Sequence, residues 1–276
     1  NGGRFKFMKT LKELCPLIIQ AGLFLLVTYI AIWVRSSTLT SRTVLDYDPF
    51  WFYRRAKMIL QNGFKQPKWD ILSFYPPGRP FGPYNGWSYT IALLYILGKK
   101  LIPQLTLTTV AIWSPLLIIA LIPIPTFFLG RVLTGSNLGG ILITFFSTLA
   151  PAFVSVSMAG YCDTDAPVVF YSFLSVLSVL ILIRKRNIPS YLFAIVSNIL
   201  FIFNWQMGWI TLQLFSAFLP ALFVYRVVEN LLIGKVELFK ILREVLDIGK
   251  PLLILLVVVN LITFPLGMGS ILHSFL

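Results

Sequence analysis

Long apolar runs separated by short polar stretches dominate the chain. Seven runs read as membrane-spanning helices, at residues 14–34, 105–130, 138–157, 167–183, 189–205, 209–227 and 251–265. Most approach the roughly 20 residues that a helix needs to cross a bilayer core. An eighth run, 87–98, is apolar but only about 12 residues long, short for a crossing. Residues 235–250 predict a different kind of helix. Val236, Phe239, Leu242 and Leu246 share one face, with Lys240, Arg243, Glu244 and Asp247 elsewhere, the pattern of an amphipathic connector lying on the membrane surface. No internal repeat and no low-complexity tract interrupts the series. The predicted fold is therefore all-α, a polytopic transmembrane bundle of about seven spans forming a single transmembrane domain over 1–276.

Composition agrees with this pattern. Of 276 residues, 57% are hydrophobic and 12% charged, and mean hydropathy is +0.84. An average soluble domain carries about 25% charged residues, and one this small could not hide so much apolar surface. The net charge of +13 would suggest nucleic acid in a soluble protein. Here the cations stand in short runs between apolar segments, so the partner is the bilayer and no nucleic acid is expected. Cys15 and Cys162 are too few for a disulfide framework and fall near opposite faces. His273 is the only histidine, which disfavours a histidine relay or a zinc site.

The cations also set the orientation. Arg4, Lys6, Lys9 and Lys12 place the N-terminus in the cytoplasm. If 87–98 does not cross, 13 of the 23 Lys and Arg residues are cytoplasmic, and the other ten lie in one long external loop, 35–104. If it crosses, Arg184, Lys185 and Arg186 are thrown outside, against the positive-inside tendency. Residues 87–98 are therefore expected to form a helix lying at the external surface or dipping partway into the membrane. A loop of about 70 residues in a compact membrane protein is usually functional. The expected location is a cell membrane, multi-pass, with the active site on the external face.

The acids give the chemistry its place. Five of the ten acidic residues are external: Asp46, Asp48, Asp70, Asp163 and Asp165. Four of them form two Asp-x-Asp pairs at the outer membrane boundary. Asp46-Tyr47-Asp48 follows the first span, and Asp163-Thr164-Asp165 lies in the second external loop, 158–166. Charges this close to lipid are costly unless paired. A divalent cation removes the repulsion between converging carboxylates, and oxygen ligands of this kind suit Mg2+ or Mn2+. A simpler reading stands beside this one. Asp48-Pro49 is a good helix start, with Asp as N-cap and Pro following, and Asp165-Ala166-Pro167 is another. The two roles are compatible, because a capping carboxylate keeps lone pairs for a metal.

Around these acids the sequence resembles the catalytic subunit of oligosaccharyltransferase. Asp48-Pro49-Phe50-Trp51-Phe52-Tyr53-Arg54, with Asp46, resembles that family's first acidic motif, also placed after the first span. Tyr75-Pro76-Pro77-Gly78 resembles a segment later in the same loop. Met158-Ala159-Gly160-Tyr161-Cys162-Asp163-Thr164-Asp165 resembles the second acidic motif, in the form of the archaeal and bacterial single-subunit members. Asn204-Trp205-Gln206-Met207-Gly208-Trp209 is similar, more loosely, to the third external loop. Taken alone, Trp205 and Trp209 are most simply interfacial anchors. The resemblance implies the GT-C glycosyltransferase architecture and covers the N-terminal portion of the family's length. The later loop with the family's catalytic Glu, and the soluble C-terminal domain, are absent, so the chain is expected to be a fragment that is inactive by itself. Met8 would then be a native start, or the chain a piece of a longer one.

The resemblance further implies transfer of an oligosaccharide from a polyprenyl (dolichyl) phosphate or pyrophosphate lipid to Asn in Asn-x-Ser/Thr. The partners are then a lipid-linked oligosaccharide, an acceptor polypeptide and the bilayer, and the cofactor is Mn2+ or Mg2+. Asp48 is assigned to catalysis and to metal binding, Asp163 and Asp165 to metal binding, and Asp46 to support from behind. Arg54, Arg55 and Arg79 are candidates to meet the donor phosphates, salt bridges within the loop being the simpler reading. Many enzymes of this architecture carry an Arg beside the second motif, but the position two before Met158 is Val156. Three alternatives remain. A related glycosyltransferase using a polyprenyl-monophosphate sugar shares the first acidic pair but not the second. A cation-coupled transporter would put acids near the bilayer midplane, where these spans have none. A non-catalytic paralogue is the third alternative.

Overall fold

The computed structural model describes residues 2–82, 85–233 and 237–266, with side chains from Pro16 onward except Gln206. His273 lies outside them. Most of the described chain is helical. In order come α1 (Gly2–Ser36), a 3-10 turn (Ser37–Ser41), α2 (Tyr47–Gln61), β1 (Trp69–Asp70), β2 (Arg79–Pro80) and α3 (Gly86–Leu101). Then follow α4 (Leu107–Leu121), α5 (Pro123–Thr134), α6 (Asn137–Leu149), α7 (Pro151–Ser155), α8 (Asp165–Lys185), α9 (Ile188–Asn204), a 3-10 turn (Gln206–Trp209), α10 (Ile210–Leu232) and α11 (Leu238–Thr263). The chain divides into two compact units, one of residues 1–57 and 91–173 and one of residues 58–90 and 174–276.

Five helical stretches are long and apolar enough to cross a membrane: Pro16–Ser41, Leu107–Thr134, Asp165–Lys185, Met207–Leu232 and Leu238–Thr263. Two further apolar helices, Asn137–Leu149 and Ile188–Asn204, are shorter, at 13 and 17 residues. Of the seven expected spans, five are helices long and apolar enough to cross, and the other two fall on the shorter helices. The expected span at 138–157 breaks because Pro151 has no amide hydrogen to donate and pushes Ala150 out of the helical region, to φ −56°, ψ 123°. The chain restarts as the single turn α7. Lys235 and Val236 lie outside the described residues, and residues 238–250 correct a second expectation. From Leu238 they belong to one helix with the following span, and the buried side of that part is Ile241, Val245 and Gly249. Phe239, Leu242 and Leu246 face outward. Packing against α9 and α10 chose the face, which the spacing alone did not.

In the first unit, α1 packs on α4 and α6, and α5 and α6 form a tight hairpin. Gly135, at φ 72°, ends α5, and its N–H bonds to Arg131 O at 2.9 Å. Ser136 then caps α6 by accepting from Gly139 N at 3.0 Å. A Cβ on Gly130 would stand 2.6 Å from Gly139 O, so only glycine allows this approach. Thr126 and Thr144 hydrogen-bond across the same seam at 3.1 Å.

The second unit holds a core of Val179, Leu182, Ala194, Ile202, Leu212, Leu252, Leu255 and Val259, with Trp209 packed on it. Trp209 is thus partly buried in that core. The unit also holds the hairpin β1–β2, antiparallel with Trp69 opposite Pro80 and Asp70 opposite Arg79. Asp70 is fully buried there and accepts from Leu72 N at 3.1 Å and Ser73 Oγ at 2.6 Å. Gly78 must be glycine, since a Cβ would lie 2.6 Å from Asp70 O. The Tyr75–Gly78 motif therefore closes a hairpin. Helix α3 falls where a helix was expected at 87–98, with Trp87, Ser88, Ile91 and Ala92 buried.

Candidate active site: two interlocked acidic motifs

Both Asp-x-Asp pairs belong to the first unit, and the chain lays them side by side. Leu45 N donates to Gly160 O at 2.9 Å. One residue on in each strand, Tyr161 Oη donates to Asp46 Oδ2 at 3.3 Å. Next, the Cys162 thiol donates to Pro49 O at 3.3 Å. Two segments more than a hundred residues apart in sequence are therefore joined at three places, residues 160, 161 and 162 meeting 45, 46 and 49. Gly160 makes the approach possible. It has φ 89°, and a Cβ there would stand 2.8 Å from Thr43 O.

Local backbone then sets each carboxylate. Asp46 takes a left-handed φ of 66°, a conformation Asp tolerates better than most residues, and accepts from Tyr47 N at 2.7 Å. Helix α2 begins at Tyr47, so Asp48 sits inside its first turn, exposed, and is not the N-cap that the Asp-Pro sequence suggested. Pro49 fits there because first-turn amides have no helical partner to lose. Asp165 likewise opens α8 in its first turn. Two of the four acids thus lie at positive helix ends, which favours their charge. Tyr53 anchors α2 to α4 through a 3.1 Å contact with Thr108 Oγ1.

The electrostatics follow from crowding and burial. Burial pushes the Asp163 carboxyl above the usual carboxylate range. Hydrogen bonds from the Thr164 amide and hydroxyl oppose this, and the charges of Asp48 and Asp46 add to it. Asp165 lies within electrostatic reach of Asp163 and Asp48. Tyr161 is raised by desolvation and then by Asp46, Asp163 and Asp165. Burial also pushes the Cys162 thiol up to about 12. Four carboxylates in one field form an oxygen-only donor set suited to a hard divalent cation. Among the described residues no three His, Cys, Asp or Glu side chains are already gathered closely enough to hold an ion.

The arginines separate into different places. Arg54 and Arg55 flank Trp51 on α2, with guanidinium carbons 5.6 and 5.5 Å from its ring centroid, and Arg55 is buried. Arg79 belongs to the other unit, on β2, and stacks 5.0 Å over Phe74. Arg35 corrects the sequence reading, which put it among the loop cations. It is the last-turn residue of α1 and is fully buried. Tyr161, Cys162 and Gly160 were visible only as letters inside a motif, and nothing in the sequence marked Arg35.

A multi-pass helix bundle with paired acids at the ends of its helices defines a class of membrane enzyme core, and the comparisons place the chain within it. The sequence signature described as "Oligosaccharyl transferase STT3, N-terminal" matches residues 22–273. The chain belongs to the oligosaccharyl transferase STT3 family, as its N-terminal portion. It is 23% identical over 196 residues to a dolichyl-phosphooligosaccharide-protein glycotransferase of Methanococcus voltae, covering 65% of this chain and 21% of the relative. It is 28% identical over 133 residues to the enzyme of that name from Methanocaldococcus jannaschii, covering 44% and 14%. The fold matches the archaeal oligosaccharyltransferase AglB from Archaeoglobus fulgidus, solved with an inhibitory peptide and a dolichol-phosphate. The TM-score is 0.72 at 15% identity, over 91% of this chain and 31% of that one. The Archaeoglobus fulgidus oligosaccharyltransferase has also been solved with Zn and sulfate, and matches with a TM-score of 0.68 at 14% identity, over 90% and 32%. The chain spans about a fifth of the length of the Methanococcus voltae relative.

Proposed function

We propose that this chain carries the acidic centre of a protein N-glycosylation enzyme, which transfers an oligosaccharide from a dolichyl-type phosphate or pyrophosphate lipid to Asn in Asn-x-Ser/Thr. The observation that carries the reading is the direct pairing of the two acidic motifs at residues 45/160, 46/161 and 49/162. Membership of the family supports it, as do the likeness to dolichyl-phosphooligosaccharide-protein glycotransferases and the dolichol-phosphate and peptide bound to the Archaeoglobus enzyme.

The amide nitrogen of Asn is a weak nucleophile because its lone pair is delocalised into the carbonyl. Asp48, exposed in the first turn of α2, would accept hydrogen bonds from that amide and draw the lone pair back onto nitrogen. Asp163 and Asp165, with Asp48, would hold Mn2+ or Mg2+, and the zinc complex of the Archaeoglobus enzyme supports a divalent ion in the family. When bound, such an ion supplies charge neutralisation among the carboxylates and beside the departing phosphate. Asp46 holds Tyr161 and the turn before α2. Arg54 and Arg55, on the same helix as Asp48, and Arg79 are candidates for donor phosphates. The N-terminus is cytoplasmic and the centre external, supported by the distribution of Lys and Arg.

The test joins this chain to the C-terminal portion that its longer relatives have, with an Asn-x-Thr peptide and lipid-linked oligosaccharide as substrates. Transfer should need Mn2+ or Mg2+. Asp48→Ala should lower it by at least about a thousandfold, more than one oxyanion-type contact alone is worth. Asp163→Ala and Asp165→Ala should first raise the metal concentration needed for half activity. Normal transfer in EDTA, or by Asp48→Ala, would show that these acids only shape helix ends.

A further inference from the structure

One buried cation holds the chain that leads into the second acidic motif. Arg35 has no solvent exposure. Its Nε donates to Ser157 Oγ at 2.7 Å, one terminal nitrogen to Ala31 O at 2.9 Å, and the other to Thr148 O at 2.8 Å. Its guanidinium carbon lies 4.9 Å from the Phe153 ring centroid. Among the described residues no carboxylate pairs with it. A guanidinium buried without a counter-ion is costly, so geometry is the natural gain to look for.

The three bonds reach three separate pieces of the unit. Ala31 is one turn back in α1. Thr148 lies at the end of α6, where Pro151 leaves carbonyls without an amide partner. Ser157 stands in the turn before the second motif. The main chain of the same region completes the grip. Arg35 O accepts from Ala159 N at 2.9 Å, and Gly160 N donates to Ile112 O at 2.9 Å. Thr38 Oγ1 donates to Ala159 O at 2.7 Å. Residues 157, 159 and 160 are each bonded to another element, and the pairing of Gly160 with Leu45 follows at once. Both acid pairs leave from this point, since Asp46 follows Leu45 and Asp163 is three residues beyond Gly160.

We propose that Arg35 is a positioning residue whose buried guanidinium clasps residues 157–160 to the end of the first span and so fixes the spacing between the two acidic motifs. The importance of that spacing rests on the reading of those acids as the catalytic centre. Lysine cannot replace the clasp, because a single ammonium lacks the planar fork that reaches Ser157, Ala31 and Thr148 together.

Cys162 supplies an internal reporter, since its thiol is fully buried between the motifs and bonded to Pro49 O. Cys15→Ser leaves it as the remaining thiol of the two in the chain. The full chain is placed in lipid nanodiscs, and maleimide labelling is followed well below each variant's melting temperature. Arg35→Met and Arg35→Lys should speed labelling by about tenfold through local opening, and Ser157→Ala should speed it less. Thr126→Val breaks the buried bond to Thr144 elsewhere in the same unit and should leave Cys162 as slow as in the parent. Should Arg35→Met fail to fold, Ser157→Ala, which removes one hydroxyl, carries the test. Parent-like labelling in the Arg35 and Ser157 variants, or equal acceleration by Thr126→Val, overturns the clasp. Mn2+ titration of the same samples by electron paramagnetic resonance separates the two readings. Arg35→Met should weaken Mn2+ binding by about tenfold or more. Parent-like Mn2+ binding by that variant overturns the link between clasp and site. A parent that protects Cys162 but binds no Mn2+ overturns the metal centre and leaves the clasp standing.

Discussion

Asp163 is held where its charge is unwelcome. Burial and the neighbouring carboxylates Asp48 and Asp46 raise its pKa in the folded protein, against the help of Thr164. The folded state therefore binds this proton more tightly than the unfolded chain, where the carboxyl titrates near about 3.9. The ionised form costs stability, and the cost appears as pH rises from the unfolded value through the folded one. Melting temperature in EDTA should accordingly fall as pH rises above about 4. Asp163→Asn should flatten that fall and raise the melting temperature at neutral pH. A divalent ion should stabilise the parent more at neutral pH than at acid pH, because it competes with the proton. Differential scanning fluorimetry across pH, with and without Mn2+, measures all three. A flat profile in the parent would mean that the burial of Asp163 has no energetic weight.

At the scale of elements, the hairpin of α5 and α6 is the tightest junction described. Its helices meet through Gly130, Gly139 and Gly140, with the Thr126–Thr144 hydrogen bond beside them. Gly130→Val should push the helices apart and cost about 1–3 kcal/mol. The expected readout is a lower melting temperature in nanodiscs, with helical content by circular dichroism unchanged. The end of α6 matters more for chemistry. Pro151 stops that helix, and the carbonyl of Thr148 so released takes the Arg35 side chain. A proline that looked like an incidental residue inside a predicted span is thus part of what shapes the site. In the second unit the same kind of local event gave the opposite result. Residues from Leu238 continue into the following span without a break, although Pro251 lies within the helix.

For the whole molecule, the large apolar residues left on the helix surfaces, such as Leu17, Ile18, Leu25 and Trp33 on α1, need a lipid environment. A multi-pass membrane protein is the consequence. The proposed orientation is open to direct test. With both native cysteines replaced by serine, Thr40→Cys should react with a membrane-impermeant thiol reagent added outside sealed cells. Lys185→Cys should react only after permeabilisation. Both positions are exposed, so access rather than burial decides the result. Labelling of Lys185→Cys from outside, with Thr40→Cys silent, would invert the topology and put the acids in the cytoplasm.

The sequence by itself determined what depends on composition and on short windows. Apolar runs require a bilayer wherever they fold, so the all-α membrane class followed from the pattern, and the acid pairs with their aromatic and proline neighbours were enough to identify the family. Helix ends set by proline, such as the break at Pro151, could also be read locally, although the expected span ran through it. Tertiary structure decided everything that links distant residues. The Tyr161–Asp46 contact joins positions 115 residues apart, and the Arg35–Ser157 bond joins positions 122 apart. No local signal tells a buried arginine at a helix end from an exposed one, because the difference lies in which carbonyls and hydroxyls the fold brings to it. The outward turn of Phe239 and the burial of Ile241 were settled in the same way, by the neighbours that α9 and α10 supply.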